Sequence, residues 1–317
     1  MCVFFFRDPV VELLINYVME LKVNNNEGCS DHHPRNSHSH SRRYPVVLSI
    51  AGSDSSGGAG IQADLKTISA LGVYGATAIT AITAQNSRGV DAQVAIAPEM
   101  VYKQIVAVVE DIRPQVVKVG MLANSDIANV VADALARYAI PTILDPVMVS
   151  SSGHRLLSVE AQEVVKQRLL PMATLITPNI PEMEALTAMP LSTIEQRHEA
   201  ARHLISVGAQ AILLKGGHDE GDTKTDILYR RSDNGITIEY FTSPTIPTRN
   251  IHGTGCTLSS AIAAYMARGL ALVEATKAAK AYLCGAIAAG ADIAIGSGHG
   301  PVNHLFDPQK MVTYDER

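Results

Sequence analysis

A short stretch in the C-terminal third of the chain combines two glycines with a thiol. It reads Arg249-Asn250-Ile251-His252-Gly253-Thr254-Gly255-Cys256-Thr257, and a long run of small helix-forming residues follows it. The first turn of a helix has backbone N–H groups without intrahelical partners, and the helix dipole adds positive charge there. Gly253, Thr254 and Gly255 are therefore candidates for a phosphate cradle, with Cys256 as a titratable group beside it. The same residues are equally consistent with a tight turn that only starts a helix.

The composition restricts the partners that such a site can have. The chain has 317 residues, of which 47% are hydrophobic, and its net charge of −5 favours no nucleic acid. No apolar run approaches the ~20 residues of a membrane span. The four cysteines form no CxxC pair and no zinc-ligand spacing, which is typical of a reduced compartment. We therefore expect a cytoplasmic protein that binds small molecules, with no nucleic-acid or membrane partner.

The first 44 residues differ in composition from the rest of the chain. An amphipathic segment from Val10 to Leu21 precedes a stretch that is rich in Asn, Ser, His and Arg. A histidine cluster of this kind can bind metal, but this composition is more typical of a disordered linker. We predict that residues 1–44 are an extension, disordered or partly helical, and that residues 45–317 form one domain.

Short apolar runs alternate with helical segments from Val46 to Leu214. The runs are continuously apolar rather than alternating, as in strands that are buried on both faces. Beyond them, Asp233-Asn234-Gly235 predicts a hairpin, and two long helices follow. The pattern predicts an α/β fold with a mostly parallel central sheet covered by helices on both faces.

The residues at the ends of the predicted strands are chemically distinctive. They are Gly52, Gln85, Met121, Asp145, Asn179 and Lys215. Ligands bind at the carboxyl ends of the strands in such sheets. A dinucleotide fingerprint at 58–63 lacks its context, because the next strand ends in Gln85 where an acidic residue should hold a ribose. The P-loop pattern is absent as well, so the stretch at 253–255 is the best candidate for binding phosphate.

Several segments, taken in order, form a recognisable set. They are the opening segment 51–67 and the shorter segments 83–86, 120–122, 145–148, 177–182, 215–218, 252–257 and 298–302. Over residues 45–306 the chain resembles the hydroxymethylpyrimidine/phosphomethylpyrimidine kinases, the thiamine-pathway branch of the ribokinase-like superfamily. The resemblance implies a three-layer α/β/α domain, usually a homodimer, that uses ATP and Mg²⁺.

The resemblance also implies roles on the substrate side of the site. It places Gln85 where the family reads the pyrimidine, and an amide offers a donor and an acceptor to an amino group and a ring nitrogen. Gly52 would let the backbone approach the ligand, while Met121 and Val147 would form apolar walls around the ring. Asp64, one turn into the first helix, either contacts the substrate or only favours the helix dipole.

On the nucleotide side, Asn179 and Glu182 resemble the N-x-x-E motif of the superfamily. They are expected to organise water around Mg²⁺, and they are also well suited to cap a helix, so both roles can hold at once. Asp145 is expected at the same magnesium or phosphate site. Lys215 either offsets phosphate charge or is only a solvated strand end. Residues 298–301 are expected to line the adenine side through their backbone.

Cys256 occupies the position where most ribokinase-like kinases carry an aspartate base. The pyrimidine kinases share this departure with a class of pyridoxal kinases. A helix N-terminus lowers the pKa of a thiol, so Cys256 is expected to accept the hydroxymethyl proton as a thiolate. Cys284 lies among alanines and glycines and is expected only to pack.

Two alternatives remain beside a pyrimidine kinase that phosphorylates first the alcohol and then the monophosphate. Pyridoxal kinases of the cysteine-containing branch tend to carry a second cysteine after Asp-Pro-Val-Met and to lack the glutamine. Here residues 149–153 contain no cysteine and Gln85 is present. A non-catalytic pyrimidine sensor is the other alternative, and the intact Cys256, Asn179 and Glu182 argue against it.

Overall fold

The structure is a computed structural model in which residues 42–148, 156–217 and 221–315 are described. The predicted extension up to residue 41 and the predicted loop at 150–153 lie outside these residues. Arg42 and Arg43, which the sequence assigns to the extension, form a short antiparallel strand pair with Tyr314 and Asp315.

The strands of the described chain are β1 (Arg42–Arg43), β2 (Val46–Asp54), β3 (Tyr74–Asn86), β4 (Gly89–Ala95), β5 (Val116–Val119), β6 (Thr142–Leu144), β7 (Leu175–Ile176), β8 (Ala211–Leu214), β9 (Thr223–Ser232), β10 (Gly235–Pro244) and β11 (Tyr314–Asp315). The helices are α1 (Gly60–Ala70), α2 (Pro98–Asp111), α3 (Ser125–Tyr138), α4 (Val159–Val164), α5 (Ile180–Thr187), α6 (Ile194–Ser206), α7 (Thr254–Ala267) and α8 (Leu272–Gly290). None of the described helices is long and apolar enough to cross a membrane.

One large sheet organises the described chain, with the strand order β10-β9-β8-β7-β6-β5-β2-β3-β4. The six strands from β8 to β3 in this order run parallel to their neighbours. Strands β4, β9 and β10 join antiparallel at the two edges. The predicted α/β fold with a mostly parallel sheet is therefore confirmed.

Helices cover both faces of this sheet. One hydrophobic cluster packs the sheet against α2 to α6, and a second packs it against α1, α7 and α8. Neighbouring residues of a strand divide between the two clusters, as Val47 and Leu48 do in β2. Buried alanines such as Ala261, Ala264 and Ala275 bring α7 and α8 close to the sheet, which suits a chain without tryptophan.

Two local predictions differ from the structure. Strand β4 was not predicted. Its residues are largely exposed, and it pairs with β3 at the edge of the sheet. The helix predicted over 159–170 keeps its α form only to Val164. It then widens into a π-helical turn over Val165–Leu169 and tightens into a 3-10 turn over Leu170–Met172. Pro171 cannot donate a backbone hydrogen bond, so the α-helix cannot continue through it.

Candidate active site

The sheet brings three distant segments together at the N-terminus of α7. A Cβ atom placed on Gly255 would lie 3.5 Å from Asp145 Oδ2 and 3.5 Å from Lys215 Nζ. Asp145 follows β6 and Lys215 follows β8, so these strand ends face the glycine stretch as the sequence predicts. The candidate phosphate cradle is thus bordered by one carboxylate and one ammonium group.

The glycine stretch is both a tight turn and an open helix start. Gly253 adopts the left-handed conformation with φ of 82°, and a side chain there would overlap the backbone oxygen of Gly58. The first hydrogen bond of the α7 ladder is donated by Thr257 N to Gly253 O over 2.8 Å. The N–H groups of Gly255 and Cys256 precede that bond in the first turn and are available to an anion. The two interpretations of the stretch are therefore compatible.

Lys215 holds the two carboxylates of the site together. Its Nζ lies 2.8 Å from Asp145 Oδ1 and 3.6 Å from Glu182 Oε2. Burial opposes its charge, but these two carboxylates raise the pKa of Lys215 above its ordinary value. Burial also opposes ionisation of Asp145, and the lysine nevertheless holds the pKa of Asp145 below its usual range. Burial raises the pKa of Glu182, against the pull of Lys215.

Asn179 and Glu182 form the predicted helix cap at the start of α5. Asn179 Oδ1 accepts from Glu182 N over 2.8 Å, and Glu182 Oε2 accepts from Asn179 N over 2.8 Å. This reciprocal pair is a capping box and directs the glutamate towards Lys215. The cap is thus made while the carboxylate remains part of the candidate site.

Cys256 lies half-buried in the first turn of α7, next to the backbone N–H of Gly60. Burial raises the pKa of its thiol to about 11, although Lys118 acts in the opposite direction. The expectation that the helix N-terminus would lower this pKa is wrong for this structure, because loss of solvent outweighs the favourable charges. At neutral pH the group is therefore a thiol.

A fully buried ion pair between Lys118 and Asp64, called the sealed pair below, lies next to the site and was not predicted. Lys118, in β5, lies 2.9 Å from both carboxylate oxygens of Asp64, and both side chains are 0% exposed. Ser49 and Ser260 each donate a 2.6 Å hydrogen bond to the same carboxylate. Asp64 therefore has no surface with which to contact a substrate, and we do not assign it to substrate binding. A lysine within Val-Val-Lys-Val was the sequence signal for a buried charge that needs a partner.

Gln85, near the end of β3, contacts His252, and His252 contacts Asp54; neither of these two residues was assigned a role from the sequence. Its Nε2 atom lies 3.4 Å from His252 Nε2, which in turn lies 2.9 Å from Asp54 Oδ2. Burial opposes ionisation of Asp54, yet hydrogen bonds from His252, Ser56 and the backbone of Ala59 lower its pKa to about 2. The position of His252 directly before Gly253 was the sequence signal that could have placed this histidine in the site.

The predicted ring walls lie on neighbouring strand ends. A Cβ on Gly52 would stand 2.9 Å from Met121 Sδ, so the backbone at Gly52 lies close to the Met121 side chain. Met121 is buried, and its backbone oxygen accepts from the Thr80 hydroxyl over 2.6 Å. Val147 is half-buried and packs at the edge of the same core.

Residues 298–301 lie between the β3–β4 hairpin and the glycine stretch. Ser87 O accepts from His299 N over 2.9 Å, and Ser87 Oγ accepts from Gly298 N over 3.1 Å. The backbone of His252 donates to Gly300 O over 3.1 Å. The segment thus contacts the elements that carry Gln85 and Cys256, and its predicted adenine-side role stays a prediction.

The acidic residues fit a magnesium ion only in a restricted way. Within residues 42–148, 156–217 and 221–315, no group of three or more His, Cys, Asp or Glu side chains could hold a metal. Asp145 and Glu182 already share Lys215. Their oxygen atoms suit Mg²⁺ that keeps most of its water and is bound chiefly through phosphates, rather than a site made of protein ligands alone.

The family model and the sequence relatives of this chain name pyrimidine kinases. A family model described as phosphomethylpyrimidine kinase matches residues 54–303. The chain is 48% identical over 261 residues to a hydroxymethylpyrimidine/phosphomethylpyrimidine kinase of Rhizobium meliloti, covering 82% of this chain and 97% of that protein. It is also 48% identical over 270 residues to the thiamine biosynthesis bifunctional protein ThiED of Geobacter sulfurreducens, covering 84% of this chain and 54% of that protein.

A solved structure that resembles this chain belongs to the alternative class, the pyridoxal kinases. The ADP complex of Bacillus subtilis pyridoxal kinase superposes with a TM-score of 0.76 at 35% identity, covering 83% of this chain and 98% of that one. The shared fold therefore does not distinguish the two classes. The higher identity to the Rhizobium protein favours the pyrimidine kinases.

Proposed function

The chain belongs to the phosphomethylpyrimidine kinase family, and we propose that it phosphorylates 4-amino-5-hydroxymethyl-2-methylpyrimidine and then the resulting monophosphate. It is a kinase, as the family and its named relatives are, and therefore uses ATP. The diphosphate so formed is an intermediate of thiamine diphosphate synthesis, in agreement with the thiamine-biosynthesis relative.

The observation that carries the assignment of residues is the convergence at the start of α7. Gly255 faces Asp145 and Lys215, and Cys256 follows it in the same helical turn. Phosphoryl transfer depends mainly on positioning and on stabilising charge, and this arrangement supplies N–H donors and an ammonium group for both. We assign Gly253, Thr254 and Gly255 to the cradle of the transferred phosphate.

In the first step, Cys256 acts as the base for the hydroxymethyl group. The thiol must lose its proton before it can accept one from the alcohol, and burial makes this loss costly at neutral pH. The second step needs no such base, because a phosphomonoester is already anionic near neutral pH. The two steps therefore place different demands on the same cysteine.

Magnesium and the nucleotide belong on the side of Lys215. Asp145 and Glu182 would hold the water shell of Mg²⁺, which supplies charge neutralisation for the phosphates, and Asn179 keeps Glu182 in place through the capping box. Lys215 offsets the remaining phosphate charge. A homodimer and a cytoplasmic location complete the proposal, by resemblance to the family.

The proposal is tested by measuring ADP release with three acceptors in parallel: the hydroxymethylpyrimidine, its monophosphate and pyridoxal. We expect turnover of both pyrimidines, with kcat/KM above that of pyridoxal by at least about tenfold. Turnover of pyridoxal alone would make the chain a pyridoxal kinase. Tight binding of the pyrimidine without turnover of any acceptor would make it a sensor.

A further inference from the structure

Asp54, His252 and Gln85 form a chain of polar contacts from the first glycine loop to the proposed pyrimidine reader. The side chain of Asp54 is 4% exposed and that of His252 is 9% exposed. His252 Nε2 lies 2.9 Å from Asp54 Oδ2 and 3.4 Å from Gln85 Nε2. Thr83 lies on the other side of the amide, with its Oγ1 atom 3.1 Å from Gln85 Oε1.

Asp54 fixes the tautomer of His252, that is, which ring nitrogen carries the hydrogen. Its Oδ2 atom already accepts from Ala59 N over 2.8 Å, and Oδ1 accepts from the backbone and hydroxyl of Ser56. Asp54 is a carboxylate at neutral pH and offers only acceptors. The 2.9 Å contact is therefore a hydrogen bond only if His252 Nε2 carries a hydrogen and donates it.

The hydrogen on His252 Nε2 determines which amide atom of Gln85, the oxygen or the nitrogen, is placed next to the histidine. With a hydrogen on His252 Nε2, an amide nitrogen at 3.4 Å would set two donors against each other. Thr83 leads to the same conclusion, because its one hydroxyl hydrogen is used by Ser53 O at 3.0 Å. Exchanging the amide oxygen and nitrogen of Gln85 removes both conflicts. The oxygen then faces the Nε2–H of His252, which has Asp54 Oδ2 at 2.9 Å and the amide at 3.4 Å as acceptors for its one hydrogen, and the nitrogen donates to Thr83 Oγ1. Heavy-atom positions alone do not distinguish these orientations, so the hydrogen bonds decide.

We propose that Asp54, His252 and Thr83 are positioning residues that hold the Gln85 amide in one orientation and thereby select an aminopyrimidine over an oxopyrimidine. An amino group beside a ring nitrogen presents a donor and then an acceptor, whereas an oxo group beside a ring N–H presents the reverse order. A glutamine free to rotate would satisfy either ring. A glutamine held from both sides matches one of them and leaves unpaired polar groups against the other.

This inference rests on the proposed function, and binding measurements test it separately from catalysis. The probes are 4-amino-5-hydroxymethyl-2-methylpyrimidine and its 4-oxo counterpart, with dissociation constants measured by calorimetry. His252→Met removes the donor at similar volume, and His252→Gln restores an N–H at similar reach. Thr83→Val and Thr83→Ser form a second matched pair. Asp54 is left intact because it also holds the backbone of Ser56 and Ala59.

We expect the wild-type protein to prefer the amino compound by at least about a hundredfold. His252→Met and Thr83→Val each reduce that ratio by about tenfold or more, whereas His252→Gln and Thr83→Ser keep it within about threefold. The dissociation constant for ATP, measured by the same calorimetry, stays within about twofold in all four variants, which a general loss of structure would not allow.

An unchanged preference in both His252→Met and Thr83→Val overturns the inference. So does an equal loss of affinity for both compounds, which would indicate a merely structural role. A wild-type protein that binds the amino compound selectively but does not phosphorylate it would leave the inference standing and would contradict the proposed function.

Discussion

Two lysines, each paired with an aspartate, interact electrostatically with Cys256, and they differ in their exposure to solvent. Lys118 and Asp64 are each 0% exposed and are closed in by two serine hydroxyls. Lys215 is 13% exposed and meets Asp145 and Glu182 at the mouth of the cradle. Nearby carboxylates raise the pKa of both lysines, against the effect of burial, so both are ammonium groups.

This difference in exposure indicates that Lys118 and Asp64 stabilise the fold, whereas Lys215 and Asp145 are placed to bind a ligand. The carboxylate of Asp64 is fully occupied, so its charge is balanced and it offers nothing to a ligand. Lys215 faces the carboxyl groups of Asp145 and Glu182 and remains partly exposed, and the start of α7 lies beside it. Both pairs consist of a lysine and an aspartate, so residue type alone does not identify the functional pair. Exposure of the side chain to the site does.

Replacing the sealed lysine should produce the largest effect on stability. Lys118→Met leaves Asp64 buried without a cation, and we expect the free energy of unfolding to fall by about 3–5 kcal/mol in urea titrations. The double variant with Asp64→Leu should recover much of that loss. Lys166→Met, which breaks an exposed pair with Glu163, serves as control and should cost about 0–1 kcal/mol. Equal losses in Lys118→Met and the control would contradict a structural role for the sealed pair.

Removing the thiol between the two lysines should separate the two phosphorylations. Cys256→Ala is expected to lower kcat of the first step by about 10²–10⁴-fold and that of the second step far less, because only the alcohol needs a base. Each step is measured with its own substrate. Cys284→Ala, on α8, is the matched control. Equal losses in both steps would count against the base role.

Replacing the open lysine should affect both steps alike. Lys215→Met removes a donor from the phosphate side, and we expect kcat to fall about a hundredfold with either substrate. Its effect on unfolding should be smaller than that of Lys118→Met, because the side chain of Lys215 is 13% exposed whereas that of Lys118 is 0% exposed. A loss confined to the first step would mean that Lys215 acts through the thiol instead of the phosphate.

The pH dependence should also distinguish the steps. Burial raises the pKa of Cys256 to about 11, so the thiolate fraction grows with pH throughout the range below that value. We expect kcat/KM of the first step to rise about tenfold per pH unit between pH 7 and 9. The second step should stay nearly flat there, since the second pKa of the phosphomonoester is about 6 and most of it is dianionic above pH 7. A flat first step in the wild-type protein would exclude a rate limited by the thiolate.

The smallest effect is expected when a methyl group is added at Gly255, beside Asp145 and Lys215. Gly255→Ala would put a Cβ 3.5 Å from Asp145 Oδ2 and Lys215 Nζ, which is an ordinary contact distance. The fold should tolerate it, while the KM for ATP rises up to about tenfold because the cradle is narrowed. Gly217→Ala, where a Cβ meets no described atom within 4 Å, is the control. Similar KM values in both variants would place the phosphate elsewhere.

The parts predicted best from the sequence have a local physical cause. Helix α3 is as predicted, at Ser125–Tyr138, because its apolar residues recur at helical spacing on one buried face. Strand β6 is as predicted, at Thr142–Leu144, because a short run that is buried on both faces marks an inner strand of a parallel sheet. The capping box of Asn179 and Glu182 follows from their spacing of three residues. Strand β4 was missed although Val90, Ala92 and Val94 alternate with polar residues, and this alternation does not mark a buried face, because Val94 is 67% exposed.

The sequence by itself determined the parallel sheet, the strand ends that carry polar groups and the glycine stretch that opens α7. These depend on residue type and on spacing within a few residues. Only the tertiary structure decided that Lys118 closes off Asp64, that burial raises the pKa of Cys256, and that Asp54 reaches His252 across 198 residues of chain. The charge state of a buried group depends on the neighbours and the solvent that packing leaves around it, and spacing along the chain carries no record of either.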